Sequence, residues 1–244
     1  MKAPPLIPKR LAPSSIRRGL ARRRSGLPSS GRIFGIGLSR TGTSSLTTAL
    51  NLLGFWAVHC PEDELSRNEL MAYFATGDGP LRMSILEGLD AVTDSPIAAT
   101  FEALDSGYPG SKFILTTREK ESWLRSYSSL WAQVGPNLRE NAHQPHARYI
   151  FAFNRQLYGV ADMDEELFAR GYDQHLRRVR EHFRDRPEDL LTVDLCAGAG
   201  WDPLCEFLGL PVPDLPFPSE RWPYKEPKVK PEGLLRTLLG RSAS

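Results

Sequence analysis

One stretch constrains the fold more than any other: Arg32-Ile33-Phe34-Gly35-Ile36-Gly37-Leu38-Ser39-Arg40-Thr41-Gly42-Thr43-Ser44-Ser45-Leu46. The apolar start, Ile33 to Ile36, is too short for a helix and is bounded by glycine, which reads as a buried strand of a parallel sheet. A turn of small residues follows. From Ser45 to Leu53 apolar residues recur at helical spacing, and Gly54 supplies the stop. Strand, glycine turn and helix N-terminus together make an anion site, because backbone N–H groups converge there and the helix dipole adds positive potential. Ser39, Thr41, Gly42, Thr43 and Ser44 form the turn, and Arg40 adds a permanent forked cation. This is a phosphate cradle.

Its pattern separates it from the commoner cradles. A nucleotide-triphosphate loop reads G-x-x-x-x-G-K-[ST]; Gly37 and Gly42 have that spacing, but Thr43 stands where the lysine belongs. The dinucleotide fingerprint G-x-G-x-x-G finds Gly35 and Gly37, yet Arg40 occupies the third glycine and no acid appears before Glu62 to hold a ribose. A cation followed by Thr-Gly-Thr-Ser resembles instead the 5′-phosphosulfate loop of sulfotransferases that use 3′-phosphoadenosine-5′-phosphosulfate (PAPS).

Strand and helix signals alternate downstream. Phe55 to Cys60, Leu89 to Asp94, Lys112 to Thr117 and Asp189 to Asp194 read as strands. Helices are expected over Glu62 to Ala75, Ile97 to Leu104 and Tyr172 to Arg186. That alternation implies right-handed βαβ units and an α/β fold with a central, mainly parallel sheet flanked by helices. Ligands of such sheets sit at the carboxyl ends of strands, which singles out Arg40, His59, Asp94 and Arg118.

Arg118 leaves a strand and Ser126 follows eight residues later. This is similar to the Arg-x7-Ser pair with which sulfotransferases hold the cofactor's 3′-phosphate, where a guanidinium and a hydroxyl clamp a dianion. Trp201-Asp202-Pro203-Leu204 through Phe207-Leu208-Gly209-Leu210-Pro211 also resembles a run common in that family. The likeness covers roughly Arg32 to Trp222 and is nearest the branch with R-T-G-T-x-S-L and I-L-T-x-R-x-x-x-x-W. The R-K-G cofactor segment of the cytosolic hormone and phenol enzymes is absent, leaving Arg221 and Lys225 as candidates for the remaining nucleotide contacts.

Composition sets the outer bounds. The chain has 244 residues, enough for one well-buried α/β domain. A net charge of +2 hides an asymmetry: ten Lys/Arg and no acid precede Glu62, so the rest is net acidic. The segment 1–31, rich in Pro, Ser and Arg, is set apart from the fold as a basic, disordered tail. Its clustered arginines would also suit an anionic membrane or a nucleic acid, and its Arg- and Ser-rich, acid-poor character suits organelle targeting. Three cysteines without ligand spacing argue for a reducing compartment and a cytoplasmic protein. No apolar run approaches the ~20 residues that span a bilayer.

From Leu130 to Tyr172 regularity falls while aromatics accumulate: Trp131, Tyr149, Phe151, Phe153, Tyr158 and Phe168. Such a stretch reads equally as a lid with an acceptor pocket or as the core of packed helices. His143 and His146 lack a third metal ligand, while His175 and His182 read as solvated or capping residues.

The resemblance implies a P-loop-kinase-like sulfotransferase domain over 32–226, with a C-terminal tail over 227–244. It implies PAPS-dependent sulfuryl transfer to a hydroxyl or amine, releasing 3′-phosphoadenosine-5′-phosphate (PAP), with no metal. Expected partners are a small-molecule, lipid or carbohydrate acceptor and no nucleic acid, with peripheral membrane contact through the basic tail left open. A small-molecule kinase and a PAP(S)-binding module without activity are the alternatives. Asp94 is the favoured general base, in a place comparable to the T-H-x-P histidine of the cytosolic enzymes; His59 is second and Glu62 third.

Overall fold

A computed structural model describes residues 25–77 and 79–219, together with Ala21. Five short strands, β1 (Ile33–Gly35), β2 (Ala57–His59), β3 (Ala91–Thr93), β4 (Lys112–Thr116) and β5 (Leu190–Val193), pair in the order β2-β3-β1-β4-β5. Every pairing is parallel, so the sheet is wholly rather than mainly parallel. The five strands fall where the apolar runs place them.

Both faces of the sheet are covered, as a parallel sheet requires. Phe34 of β1 and Phe113 and Leu115 of β4 enter one core; Ile33 and Ile114, one residue over, enter the other. This is the period of two of an extended chain. The second core is closed by α1 (Thr43–Leu53) and, near the C-terminal end, by α8 (Trp201–Phe207). Leu27 and Ala21 join it, so the last part of the segment set apart as a tail packs against the domain. Residues 1–20, 22–24 and 220–244 lie outside the described residues, and with them the tail at 227–244, Arg221 and Lys225.

The first core carries α2 (Glu64–Thr76), α3 (Ser95–Ala98), α4 (Phe101–Gly107), α5 (Lys120–Glu140), α6 (Pro145–Tyr158) and α7 (Glu165–His182). The helix expected over Ile97 to Leu104 is two helices, interrupted at Thr100, whose φ of −124° is not helical. The stretch expected to lose regularity after Leu130 is instead helical through most of its length. Trp123, Tyr127, Trp131 and Gly135 recur every fourth residue on the buried stripe of α5. The aromatics interlock: Tyr158 stacks on Phe168 at 3.8 Å between centroids, and Trp123 lies 4.6 Å from Tyr172. Their aromatic richness is therefore chiefly helix packing.

Two histidines also differ from expectation. His175 is fully buried on α7, and its Nε2 meets the Ile36 carbonyl at 2.7 Å beneath the end of β1. Burial pushes its pKa down to about 4, so the ring is neutral. His182 Nε2 meets Asp105 Oδ2 at 2.7 Å, and the Arg186 guanidinium holds the same carboxylate. No described helix is long and apolar enough to cross a membrane.

Candidate active site

The chain runs from β1 outward to β2, returns through β3, then crosses to β4 on the other side of β1. The switch point thus lies between β1 and β4, where an open α/β sheet leaves a crevice for ligands. Backbone strain gathers beside it. Among the described residues the non-glycine positions with positive φ are Arg40 (74°), Cys60 (46°) and Asp94 (90°). They follow β1, β2 and β3 respectively, and each such conformation costs about 1–3 kcal/mol that the surrounding packing must offset.

The turn after β1 is held from several directions. Thr41 is fully buried, and its hydroxyl donates to the Leu38 carbonyl and meets Thr116 Oγ1, both at 2.7 Å. Thr41 therefore braces the loop from inside rather than facing a ligand. A Cβ on Gly37 would lie 1.8 Å from Thr116 Oγ1, which is why this approach of loop to β4 requires glycine. Trp123 of α5 donates its indole N–H to the Ser39 carbonyl at 2.9 Å, tying the loop to the aromatic core.

Gly42, at φ 95°, opens α1 with no side-chain cap. The first-turn N–H groups are thereby left for an outside acceptor. They border a cavity of about 130 Å³ lined by Ser39, Arg40, Gly42, Thr43, Ser44 and Ser45, with His59, Asp94 and Leu130 completing it. That is roughly the liquid volume of four waters, the size class of a tetrahedral anionic head rather than of a whole nucleotide. The donor set fits such a head: a helix N-terminus, hydroxyls and one guanidinium.

Arg118 and Ser126 lie beside this cavity, but not as a direct pair. Arg40 Nε donates to Ser126 Oγ at 3.0 Å, while Arg118 Nε donates to Ser122 Oγ at 3.0 Å. Arg118 also reaches the Arg40 carbonyl at 3.2 Å, and its own backbone N–H donates to the Tyr172 hydroxyl. Two guanidiniums and two serines one helical turn apart form one donor cluster. Ser122 was not singled out in the sequence, although its four-residue spacing from Arg118 and Ser126 was there to be read.

Asp94 occupies the N-cap position of α3, yet its carboxylate does not cap it. It turns back instead, accepting from Ser39 Oγ at 2.9 Å and Thr43 Oγ1 at 3.1 Å. His59 Nε2 is the hub beside it, 3.0 Å from Thr43 Oγ1, 3.2 Å from Ser44 Oγ and 3.6 Å from Asp94 Oδ2. Asp94 is 5% exposed, whereas the His59 side chain is 26% exposed and faces the cavity. Ser95 fixes the junction, its Oγ accepting from the Ser39 N–H at 2.8 Å. The structure thus brings Ser39, Arg40, Thr43, Ser44, His59 and Asp94 into contact from three strand ends.

A second cavity of about 360 Å³ opens from the same junction. Ser39, His59, Asp94 and Leu130 line both. Its far wall is built from α5 and α6, through Trp131, Val134, Leu138, His146, Ile150 and Phe153. Cys60, half-buried, and Glu62, exposed, line it near Asp94. Burial, with the Asp94 and Glu62 carboxylates, holds the Cys60 thiol well above its ordinary pKa, so it is no thiolate nucleophile. None of the far-wall residues was placed from sequence beyond membership of an aromatic stretch, because helices distant in the chain build the wall.

Comparison with known proteins adds a family. The model of the sulfotransferase domain matches residues 32–221. A curated relative, Ava biosynthesis cluster protein M of Aspergillus versicolor, is 32% identical over 211 residues, covering 77% of this chain and 79% of the relative.

Proposed function

The chain belongs to the sulfotransferase-domain family, and from that premise we propose that it moves a sulfuryl group from PAPS to a hydroxyl or amine, releasing PAP. The observation that carries this reading is the position of Asp94 and His59 at the junction of the two cavities. One cavity carries the anion-binding donors; the other has the walls of an acceptor pocket. The acceptor class is a small molecule, lipid or carbohydrate; the relative's name, which refers to a biosynthesis cluster, favours a small molecule. Three cysteines without disulfide or ligand spacing suit a reducing compartment, and we infer a cytoplasmic site of action.

PAPS supplies an activated sulfuryl group whose leaving oxygen belongs to a 5′-phosphate. The N–H groups at the start of α1, with Arg40, Thr43 and Ser44, bind that phosphosulfate and stabilise charge on its equatorial and leaving oxygens. Arg118 and Ser126 hold the 3′-phosphate, with Ser122 as a further donor. Asp94 takes the acceptor's proton as the new oxygen–sulfur bond forms in line with the breaking one. The released electron pair stays on the phosphate oxygen of PAP. His59 orients the nucleophile and shares the proton through Asp94.

A thermal-shift panel of PAP, ATP with Mg²⁺, and NAD tests the reading. A specific ligand at a hundred times its Kd stabilises by about 2.7 kcal/mol. PAP is the expected stabiliser; stabilisation by ATP or NAD and none by PAP would overturn the assignment. In a turnover assay with PAPS, Arg40→Ala is expected to lower kcat about 10²–10³-fold, the loss seen when a transition-state donor is deleted. Wild-type turnover would remove Arg40 from the mechanism.

A further inference from the structure

The second cavity has a chemical character narrower than the family requires. Apart from His146 its far wall is apolar, and the polar tips of Trp131 and Tyr127 are engaged elsewhere. The Trp131 indole N–H donates to Asp162 Oδ1 at 2.5 Å, and the Tyr127 hydroxyl is directed at Asn154 Oδ1. Leu130, Val134, Leu138 and Ile150 offer no hydrogen bond at all. A ligand dense in hydroxyls would leave most of them unsatisfied there, at a cost for each.

The fixed charge beside the junction is one-sided, with Asp94 buried and Glu62 exposed. Asp94 and Glu62 both lie against the Cys60 thiol, and no Lys or Arg lines the cavity. Arg67, the nearest cation to Glu62 by hydrogen bond, reaches its backbone carbonyl and not its carboxylate. Among the described residues no cation pairs with the Glu62 carboxylate. Two acids in a half-enclosed apolar pocket repel an anionic ligand and attract a cationic one.

We propose that the acceptor is a compact, apolar alcohol or phenol bearing a basic nitrogen, with its hydroxyl at Asp94 and His59 and its ammonium at Glu62. This rests on the sulfuryl-transfer reading of the site. About 360 Å³ holds one or two rings, near the small end of ligand pockets. Glu62 is then a specificity residue, not the base.

Tyramine, tyrosol and 4-hydroxyphenylacetate share a phenol and differ in the charge of the tail: cationic, neutral and anionic. Their binding to the enzyme–PAP complex by calorimetry, and their turnover with PAPS, are expected in that order, with about tenfold or more between the first and last. Glu62→Gln is expected to bring tyramine level with tyrosol while PAP affinity stays the same. Failure of PAP to bind would sink the donor assignment itself. Normal PAP binding with 4-hydroxyphenylacetate equal to or better than tyramine would overturn the acceptor inference alone. So would normal PAP binding with none of the three bound, or an unchanged tyramine preference in Glu62→Gln.

Discussion

The carboxyl edge of the sheet and the helical layer of α5, α6 and α7 are built on opposite plans. At the sheet edge, short loops after β1, β2 and β3 hold six polar side chains by hydrogen bonds of 2.8–3.2 Å, on a backbone with three positive-φ residues. In the helical layer, few polar groups take part and aromatic rings fill the space, from Trp123 to Phe168 and Tyr172. The edge spends stability to place charges; the layer supplies stability by burying area. A reaction centre at the seam of the two inherits accuracy from the first and dryness from the second.

Substitutions can break that division. The sharpest test is Asp94→Asn, which keeps shape and removes the base. The expected outcome is a fall in kcat of about 10²–10⁴-fold, the usual worth of a positioned base, with PAP binding retained by calorimetry. A fully active variant would hand the role to His59.

Next comes Phe168→Ala in the helical layer, where a fully buried ring stacked on Tyr158 is lost. Urea denaturation should show a loss of about 3–5 kcal/mol, the range for deleting a buried phenyl group. At temperatures where the variant stays folded, its preference for PAP over 3′-dephosphorylated nucleotides should not change. A changed preference would mean that the two regions are not separate in function.

Acid should act on the packed region through His175. The unfolded imidazole takes its proton near 6.5 and the buried one only near 4. Stability is therefore complete above about pH 6.5 and declines as pH falls towards 4, by roughly 3 kcal/mol in all. His175→Gln should lack this part of the slope in denaturation midpoints recorded from pH 7 to 4.5. Parallel slopes for the two proteins would rule the histidine out.

The smallest effect belongs to the donor cluster. Arg118→Ala and Ser126→Ala should each weaken PAP binding by about 1.5–3 kcal/mol, the worth of a charge-assisted hydrogen bond, and narrow the preference for a 3′-phosphate. Because Ser122 bonds Arg118 in this structure, Ser122→Ala should behave like Arg118→Ala, only more weakly. An unchanged preference for the 3′-phosphate would detach the cluster from that role.

The same contrast decides what could be read from the amino-acid order. The strands and the cradle were legible because their signals are local: an apolar run, a glycine turn and a helix start lie within fifteen residues of one another, from Arg32 to Leu46. The four strand ends were legible because parallel topology says where ligands sit. The inward turn of Thr41 was not legible, since sequence cannot tell which hydroxyl of a turn faces the interior. After Leu130 the loss of regularity was the part that failed: of the two readings offered, packed helices describe most of the stretch, and the period of four that α5 shows from Trp123 to Gly135 was the missed signal. His175 gave no local sign at all: its partner, the Ile36 carbonyl, is 139 residues away.

α5 touches every part of this arrangement. Ser122, Trp123 and Ser126, in its first turns, belong to the proposed nucleotide side; Trp131, Val134 and Leu138, further along, line the other cavity, and Leu130 lines both. At 1.5 Å per residue the eight steps from Ser126 to Val134 span about 12 Å of helix, ahead of the interior Pro136. Over that length the helix acts as a ruler, so that a tilt would carry the two proposed subsites together. On the proposed function, its later turns could be rewritten for new acceptors without disturbing the end assigned to the donor.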